Sequence, residues 1–374
     1  MHLRKVAAAA IAGLLVLTGT AAAAPRELTS QPVFNNPRGD GEDRIVKHLV
    51  EMINGAKKGS SIVAAAMVFE DRRVIDTLLN ASRNGIRVTV IYDAANDDAD
   101  KLLERLKEAG NGSRAVICTD DGSNACIGSG RMHSKFFLFS ETLGAKNVVS
   151  VGTANLNDDS AKNTFNSWYT ETNNEGLYEY YGGYVEDLLA ENRDNNYYDH
   201  RKPREFEGVK AYFYPRGDGG DTFANTLRAV KCDGRTKIRI ANYSFSRTEV
   251  AEELLRLAEA ECEIEIIAAK FHETACKMLV GHKNVRAWGF GFLQPYVHEK
   301  NLMIQGHYSG AADQRVVWTG SHNLNTNSLS LNDETVLRIM NRPSTYASFV
   351  SNFETIKERA VERDRGNCPW GMEL

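Results

Sequence analysis

Residues 131–140 read RMHSKFFLFS, a histidine and a lysine two apart at the head of an apolar run. Side chains alternate between the two faces of a strand, so His133 and Lys135 point the same way from a ribbon that is otherwise buried. Alone, such a pair is more often surface decoration or a hydrogen-bonded core residue than chemistry. It decides the fold because it recurs: residues 296–306 read YVHEKNLMIQG, with His298 and Lys300 opening a second apolar run.

The repetition extends in both directions. Downstream, VVSVGTANLN (148–157) places Gly152, Asn155 and Asn157, and RVVWTGSHNLN (315–325) places Gly320, Asn323 and Asn325. The paired histidines are 165 residues apart and the paired asparagines 168, so the copies stay nearly in step. Upstream, a helical pattern (45–59), a β-branched run (60–69), a second helical pattern (74–85) and a second run (86–94) are matched in order by 223–235, 236–245, 250–261 and 262–270. Apolar residues spaced at three and four, alternating with short β-branched runs, predict αβ units in each half. The expected fold is two duplicated α/β lobes, each a mixed, mostly parallel sheet flanked by helices, with pseudo-twofold symmetry and one active site between them.

Two HxK segments, each followed by a strand and a GxxNxN turn, resemble the phospholipase D superfamily, and the resemblance covers nearly all of the chain after its first segment. One departure stands out. The family's aspartate, five places after each lysine, is Ser140 in the first copy and Gln305 in the second. In the family that aspartate braces the motif, so its absence bears on efficiency and subfamily more than on the reaction.

The chemistry suits these residue types. A phosphodiester repels nucleophiles and has a poor leaving group, so cleavage needs a nucleophile, an acid and fixed positive charge around the phosphoryl oxygens. Two histidines, two lysines and two asparagines supply that set: Lys135 and Lys300 to neutralise oxygens, Asn155 and Asn323 to donate amide hydrogens, with Asn157 and Asn325 supporting. The resemblance implies a phosphohistidine intermediate on His133 with His298 as acid and base, although the symmetry leaves the two roles exchangeable. A nucleophilic imidazole needs an acceptor for its other nitrogen. Glu334, in LNDETVLRI, is the expected acceptor, and the register of the repeat puts Asn166 at the matching place in the first half. No cofactor and no metal is expected for the chemical step, and no cysteine pattern has zinc spacing.

The chain opens with Arg4 and Lys5 before an apolar run that ends in small residues, the layout of a secretory signal over residues 1–24. Lobes are then expected at 25–195 and 207–374, with a polar linker near 194–206. Removing Arg4 and Lys5 takes the formal charge from −4 to −6, which disfavours a nucleic-acid partner. Six cysteines in a secreted chain point to disulfides: Cys118 with Cys126 by proximity, Cys232 and Cys262 as neighbours at one sheet edge, leaving Cys276 for Cys368.

Before His298, AWGFGFLQPYV carries Trp288, Phe290, Phe292, Leu293 and Tyr296, read either as an apolar loop at the mouth of the site or as inter-lobe core. The first expectation is a secreted, monomeric phosphodiesterase acting on phospholipid head groups at a membrane surface, with head-group exchange also implied by the resemblance. A secreted nuclease and an inactive head-group binding module are the alternatives. The carboxylate-rich stretches TDDGSNAC and YDAANDDAD match no calcium loop and read as solvated. His272, His282, His307 and His322 read as incidental, His322 the least so because it sits inside GSHNLN and could line the cleft.

Overall fold

A two-residue hairpin follows each HxK strand and sets the architecture. Leu143 and Gly144 (φ 46° and 79°) join Phe136–Thr142 to Ala145–Gly152, and Ser309 and Gly310 (φ 51° and 83°) join Lys300–Tyr308 to Ala311–Gly320. Positive φ at both loop residues matches the right-handed twist of the flanking strands, and so short a loop can only connect antiparallel neighbours. The computed structural model describes residues 27–39, 41–94, 96–118, 123–291 and 295–371.

The first sheet runs, in spatial order, Gln31–Asn35, Thr164–Glu171, Ala145–Gly152, Phe136–Thr142, Ser61–Val68, Arg87–Ala94 and Arg114–Ile117. The second repeats it with Val209–Tyr214, Glu334–Met340, Ala311–Gly320, Lys300–Tyr308, Lys237–Phe245, Glu263–Phe271 and Val285–Gly289, extended by the edge strands Arg204–Phe206 and Val361–Arg363. Each sheet is mixed and flanked by helices, as expected, but the balance of directions needs correction. Within each set of seven, two pairings are parallel and four antiparallel. Crossover helices produce the parallel pairs upstream of HxK; hairpins and short turns produce the rest.

Both faces of each sheet are covered, so the central strands read as unbroken apolar runs. Phe137 and Phe139 face an outer core with the helices Arg44–Asn54 and Arg72–Arg83, while Phe136 and Leu138 face the other sheet. In the second half Leu302 and Ile304 face the outer helices and Met303 faces inward. The helices Glu175–Leu189 and Pro343–Arg359 pack between the sheets. There Tyr184 stacks on Phe213 at 4.1 Å, with Tyr181 edge-on to the same ring at 4.9 Å.

The stretch 194–206, expected to be a linker, carries the helix Tyr197–Arg201 and the strand Arg204–Phe206, which pairs with Val209–Tyr214. Trp288 and Phe290 are buried in the core between the sheets and Tyr296 is half-buried, so the mouth-loop reading fails for the first two. Phe292 and Leu293 lie outside the described residues, as do the first 26 residues, where the signal was expected. All three disulfides form with the expected pairing: Cys118–Cys126, Cys232–Cys262 and Cys276–Cys368. No helix among the described residues is long and apolar enough to cross a membrane.

Candidate active site

Each histidine is anchored by the opposite half. The His133 N–H donates to the Asp333 carbonyl (3.0 Å), and the His298 N–H donates to the Phe165 carbonyl (2.9 Å). Short parallel bridges, Met132 with Asp333 and Val297 with Phe165, flank these bonds. The side chains cross in the same way. His133 Nδ1 lies 2.9 Å from Glu334 Oε2, and His298 Nδ1 lies 3.0 Å from Asn166 Oδ1.

These partners set both tautomers. Glu334 is ionised and can only accept. Its burial opposes the charge, but His133 and the nearby Lys135 hold its pKa down at about 2. Asn166 is oriented by its own bonds: Nδ2 donates to Thr164 Oγ1 (2.6 Å) and to the Ser160 carbonyl (3.2 Å), while Oδ1 accepts from Thr153 Oγ1 (2.9 Å). Both imidazoles therefore donate through Nδ1, and Nε2 is the nitrogen left for chemistry on each ring.

The electrostatics are those of a buried cluster of basic side chains. Burial pushes His133 down to about 4 against the pull of Glu334, with Lys135 and Lys300 adding to the depression. His298 is driven well below its ordinary value by burial, then by Lys300, Lys135 and His133, so the four motif side chains share one field. Lys135 is fully buried, which brings it down to about 7, and Lys300 is lowered by burial and by Lys135. Each ammonium donates to its own histidine's carbonyl: Lys135 to His133, and Lys300 to His298 at 2.6 Å. A buried ammonium costs several kcal/mol unless an anion joins it, and Lys135 adds to that cost at Lys300.

The GxxNxN turns divide their labour. Asn155 and Asn323 each bury an amide oxygen that has no hydrogen-bond partner among the described residues. Asn157 and Asn325 instead cap the helices Asp158–Lys162 and Thr326–Ser330, accepting from Ser160 N and Ser328 N at 3.0 Å each. The glycine admits the neighbouring strand: a Cβ on Gly152 would meet the Trp168 ring at 2.1 Å, and one on Gly320 the Thr335 carbonyl at 2.1 Å. Ser140 and Gln305 stand five residues beyond the lysines, about 16 Å along the strand. Ser140 Oγ accepts from Ser61 N at 2.8 Å and braces the adjacent strand, while Gln305 is exposed.

Burial gives several groups a role that the sequence reading missed. Asp333, fully buried, accepts backbone N–H groups of Cys126 (2.6 Å), Ile127 (3.2 Å) and Gly128 (2.6 Å), tying the disulfide loop to the segment that holds His133. Tyr243 lies 5.0 Å from the His298 ring and 5.4 Å from Lys300 Nζ. Glu299, between the second histidine and lysine, accepts from Asn301 Nδ2 and Asn352 Nδ2 at 2.6 Å each. Among the described residues, no three His, Cys, Asp or Glu side chains gather as a metal-ligand set.

Burial lifts Glu299 from 4.5 to about 7, outweighing the two amides. A raised carboxyl stabilises the fold fully below its unfolded pKa, and that contribution is lost as pH rises through the folded value. Across this window the shift corresponds to roughly 3 kcal/mol. Glu299→Gln is expected to melt at a higher temperature than the wild type at pH 8.5 and to lose that advantage at pH 4. Thermal unfolding of both proteins at both pH values checks this, and a pH-independent difference counts against it.

Comparison with known proteins is consistent with this geometry. A family model described as "Cardiolipin synthase, PLD-like domain" matches residues 49–180 and 232–357, one stretch in each half. The structure of phosphatidylserine synthase from Haemophilus influenzae Rd KW20 is similar over 86% of this chain and 86% of that one, at 12% identity and a TM-score of 0.60. That of polyphosphate kinase from Porphyromonas gingivalis is similar over 87% of this chain and 50% of that one, at 15% identity and a TM-score of 0.59. In sequence, polyphosphate kinase of Salmonella typhimurium is 28% identical over 124 residues, 31% of this chain and only 17% of that protein's length. With a family model spanning most of both halves, the chain belongs to the PLD-like domain family of the phospholipase D superfamily.

Proposed function

We propose that the protein is a secreted phosphodiesterase of phospholipase D type that acts on phospholipid head groups through a phosphohistidine on His133. The observation that carries this reading is the crossed anchoring of two imidazoles, one to a carboxylate and one to an amide. The two halves are taken as 25–195 and 207–374, the chain as a monomer, and three disulfides with no membrane-spanning helix among the described residues fit an oxidising, extracytoplasmic compartment.

Unequal partners assign unequal roles. When His133 Nε2 attacks phosphorus, positive charge appears on its ring, and Glu334 at Nδ1 neutralises it. His298 needs the opposite property. An imidazolium held by an amide oxygen and the Thr153 backbone, with no carboxylate partner, and crowded by two lysines is a strong acid, formed when the substrate's negative charge enters and quick to pass its proton on.

In the first step the P–N bond to His133 forms, the P–O bond to the head group breaks, and the departing oxygen takes the Nε2 proton of His298. In the second, water attacks phosphorus, His298 takes its proton, and the P–N electron pair returns to His133. An alcohol in place of water gives head-group exchange. Lys135 and Lys300 balance the phosphoryl oxygens throughout, and Asn155 and Asn323 hold them.

The test uses the mature protein with chelator present. It is incubated with vesicles of mixed phosphatidylcholine and phosphatidylserine and, separately, with supercoiled plasmid. Phosphatidic acid without nicking is the expected result. Nicking alone would replace the lipid reading with the nuclease one, and neither product would favour a binding module.

A further inference from the structure

The two halves differ where His322 and Arg247 stand. His322 is 1% exposed, neither ring nitrogen has a hydrogen-bond partner among the described residues, and its ring packs 4.4 Å from Tyr214 and 5.7 Å from Phe223. The Arg247 guanidinium lies over the same Phe223 ring at 5.6 Å with its side chain 3% exposed. Its Nη1 is 3.1 Å from Asp221 Oδ2, yet none of its three nitrogens makes a hydrogen bond among the described residues. Asp221 Oδ1 accepts from Phe223 N (2.8 Å) and Ala224 N (3.0 Å), which leaves Oδ2 alone to face the guanidinium.

The first half shows that the fold does not require these groups. Asp71 N and Arg247 N donate to the equivalent carbonyls of Leu156 (2.7 Å) and Leu324 (3.1 Å), so the two residues occupy matching positions. Asp71 places a carboxylate there, which caps the helix Arg72–Arg83 through Arg73 N and Val74 N. Arg247 places a guanidinium there, and the helix Thr248–Glu259 has no side-chain cap. The counterpart of His322 is Ala154, by the register of the GxxNxN turns. Four nitrogens without a partner among the described residues, two on each side chain, are costly at one buried spot, and a structure that can do without them keeps them for a ligand.

We propose that Arg247 and His322, which precedes Asn323 in the second turn, form an anion subsite near the phosphoryl centre that takes a second oxyanion carried by the substrate. The subsite deepens the function proposed above and rests on it for the meaning of substrate. A guanidinium and an imidazole suit a terminal phosphate or a carboxylate equally well, so the preferred head group carries one of these next to the phosphodiester. Glu334, close enough for its charge to act on both groups, accepts from His133 Nδ1.

Binding by the full chain, measured by calorimetry without turnover, tests the subsite independently of any catalytic activity. One arm compares pyrophosphate with orthophosphate, the other phosphoserine with phosphoethanolamine. The wild type is expected to prefer the first member of at least one pair by roughly tenfold. Preference in the phosphate arm identifies a second phosphate, and preference in the serine arm a carboxylate. His322→Ala, which installs the first half's own residue, and Arg247→Met are expected to bring the ratio close to one, with folding checked by circular dichroism because Arg247→Met leaves Asp221 unpaired. No preference in either arm, or a preference that survives in every folded variant, overturns the subsite. Absence of phosphodiester turnover with the preference intact would instead remove the function proposed above.

Discussion

His133→Ala is expected to lower turnover of a chromogenic phosphodiester by about a thousandfold or more, because the nitrogen proposed to take up phosphorus is gone. His298→Ala should behave differently. A nitrophenolate leaving group needs little protonation, so the first step proceeds, and the second stalls for want of a base to activate water. The expected record is a burst of nitrophenol equal to the enzyme present, followed by a slow phase, with phosphate retained on the protein in a bond labile to acid and stable to alkali. Rapid-mix absorbance and mass measurement of the intact protein read both. A burst in His133→Ala and none in His298→Ala would exchange the two roles and break the link between a carboxylate partner and the nucleophile.

Removing Cys276–Cys368 is expected to cost about 4–5 kcal/mol of stability, the value for freeing a loop of this length in the unfolded chain. The bond closes 92 residues and holds the C-terminal segment, where Trp370 Nε1 donates to the Ala268 carbonyl at 2.9 Å and its ring meets Phe271 edge-on. Cys118–Cys126 closes only 8 residues, so its removal should cost roughly 2–3 kcal/mol. The ranking for activity is the reverse. The short loop presents the N–H groups that Asp333 accepts, and it leads directly into His133. Urea unfolding and phosphodiester turnover of Cys276→Ala/Cys368→Ala and Cys118→Ala/Cys126→Ala should place the larger stability loss in the first and the larger activity loss in the second.

The duplicated halves and the six paired motif residues were legible in the sequence because each signal is local and occurs twice. Glu334 and Asn166 followed from the same register, and the structure brings both to the imidazoles. The excess of parallel pairing was misjudged because helix-then-strand periodicity reports crossovers and is blind to the hairpins downstream of HxK. Their signature lay in Leu143-Gly144 and Ser309-Gly310, two short loops at equivalent places, each ending in glycine. Trp288 and Phe290 were ambiguous since an aromatic residue has the same hydrophobicity in a core as at a mouth. Asp333, Glu299 and Arg247 could not be found at all: a charged residue is read as solvated by default, and only tertiary packing reveals its burial.

The reciprocal holding of the histidines limits how this chain could ever be divided. A separated first half would keep His133 and Lys135 but lose Glu334, and a separated second half would keep His298 and lose Asn166. Neither fragment would own a correctly turned ring, so shortening the gene to one copy could preserve function only if two such products joined and lent each other the missing oxygen. Competence here is a property of an encounter that covalent fusion has made permanent.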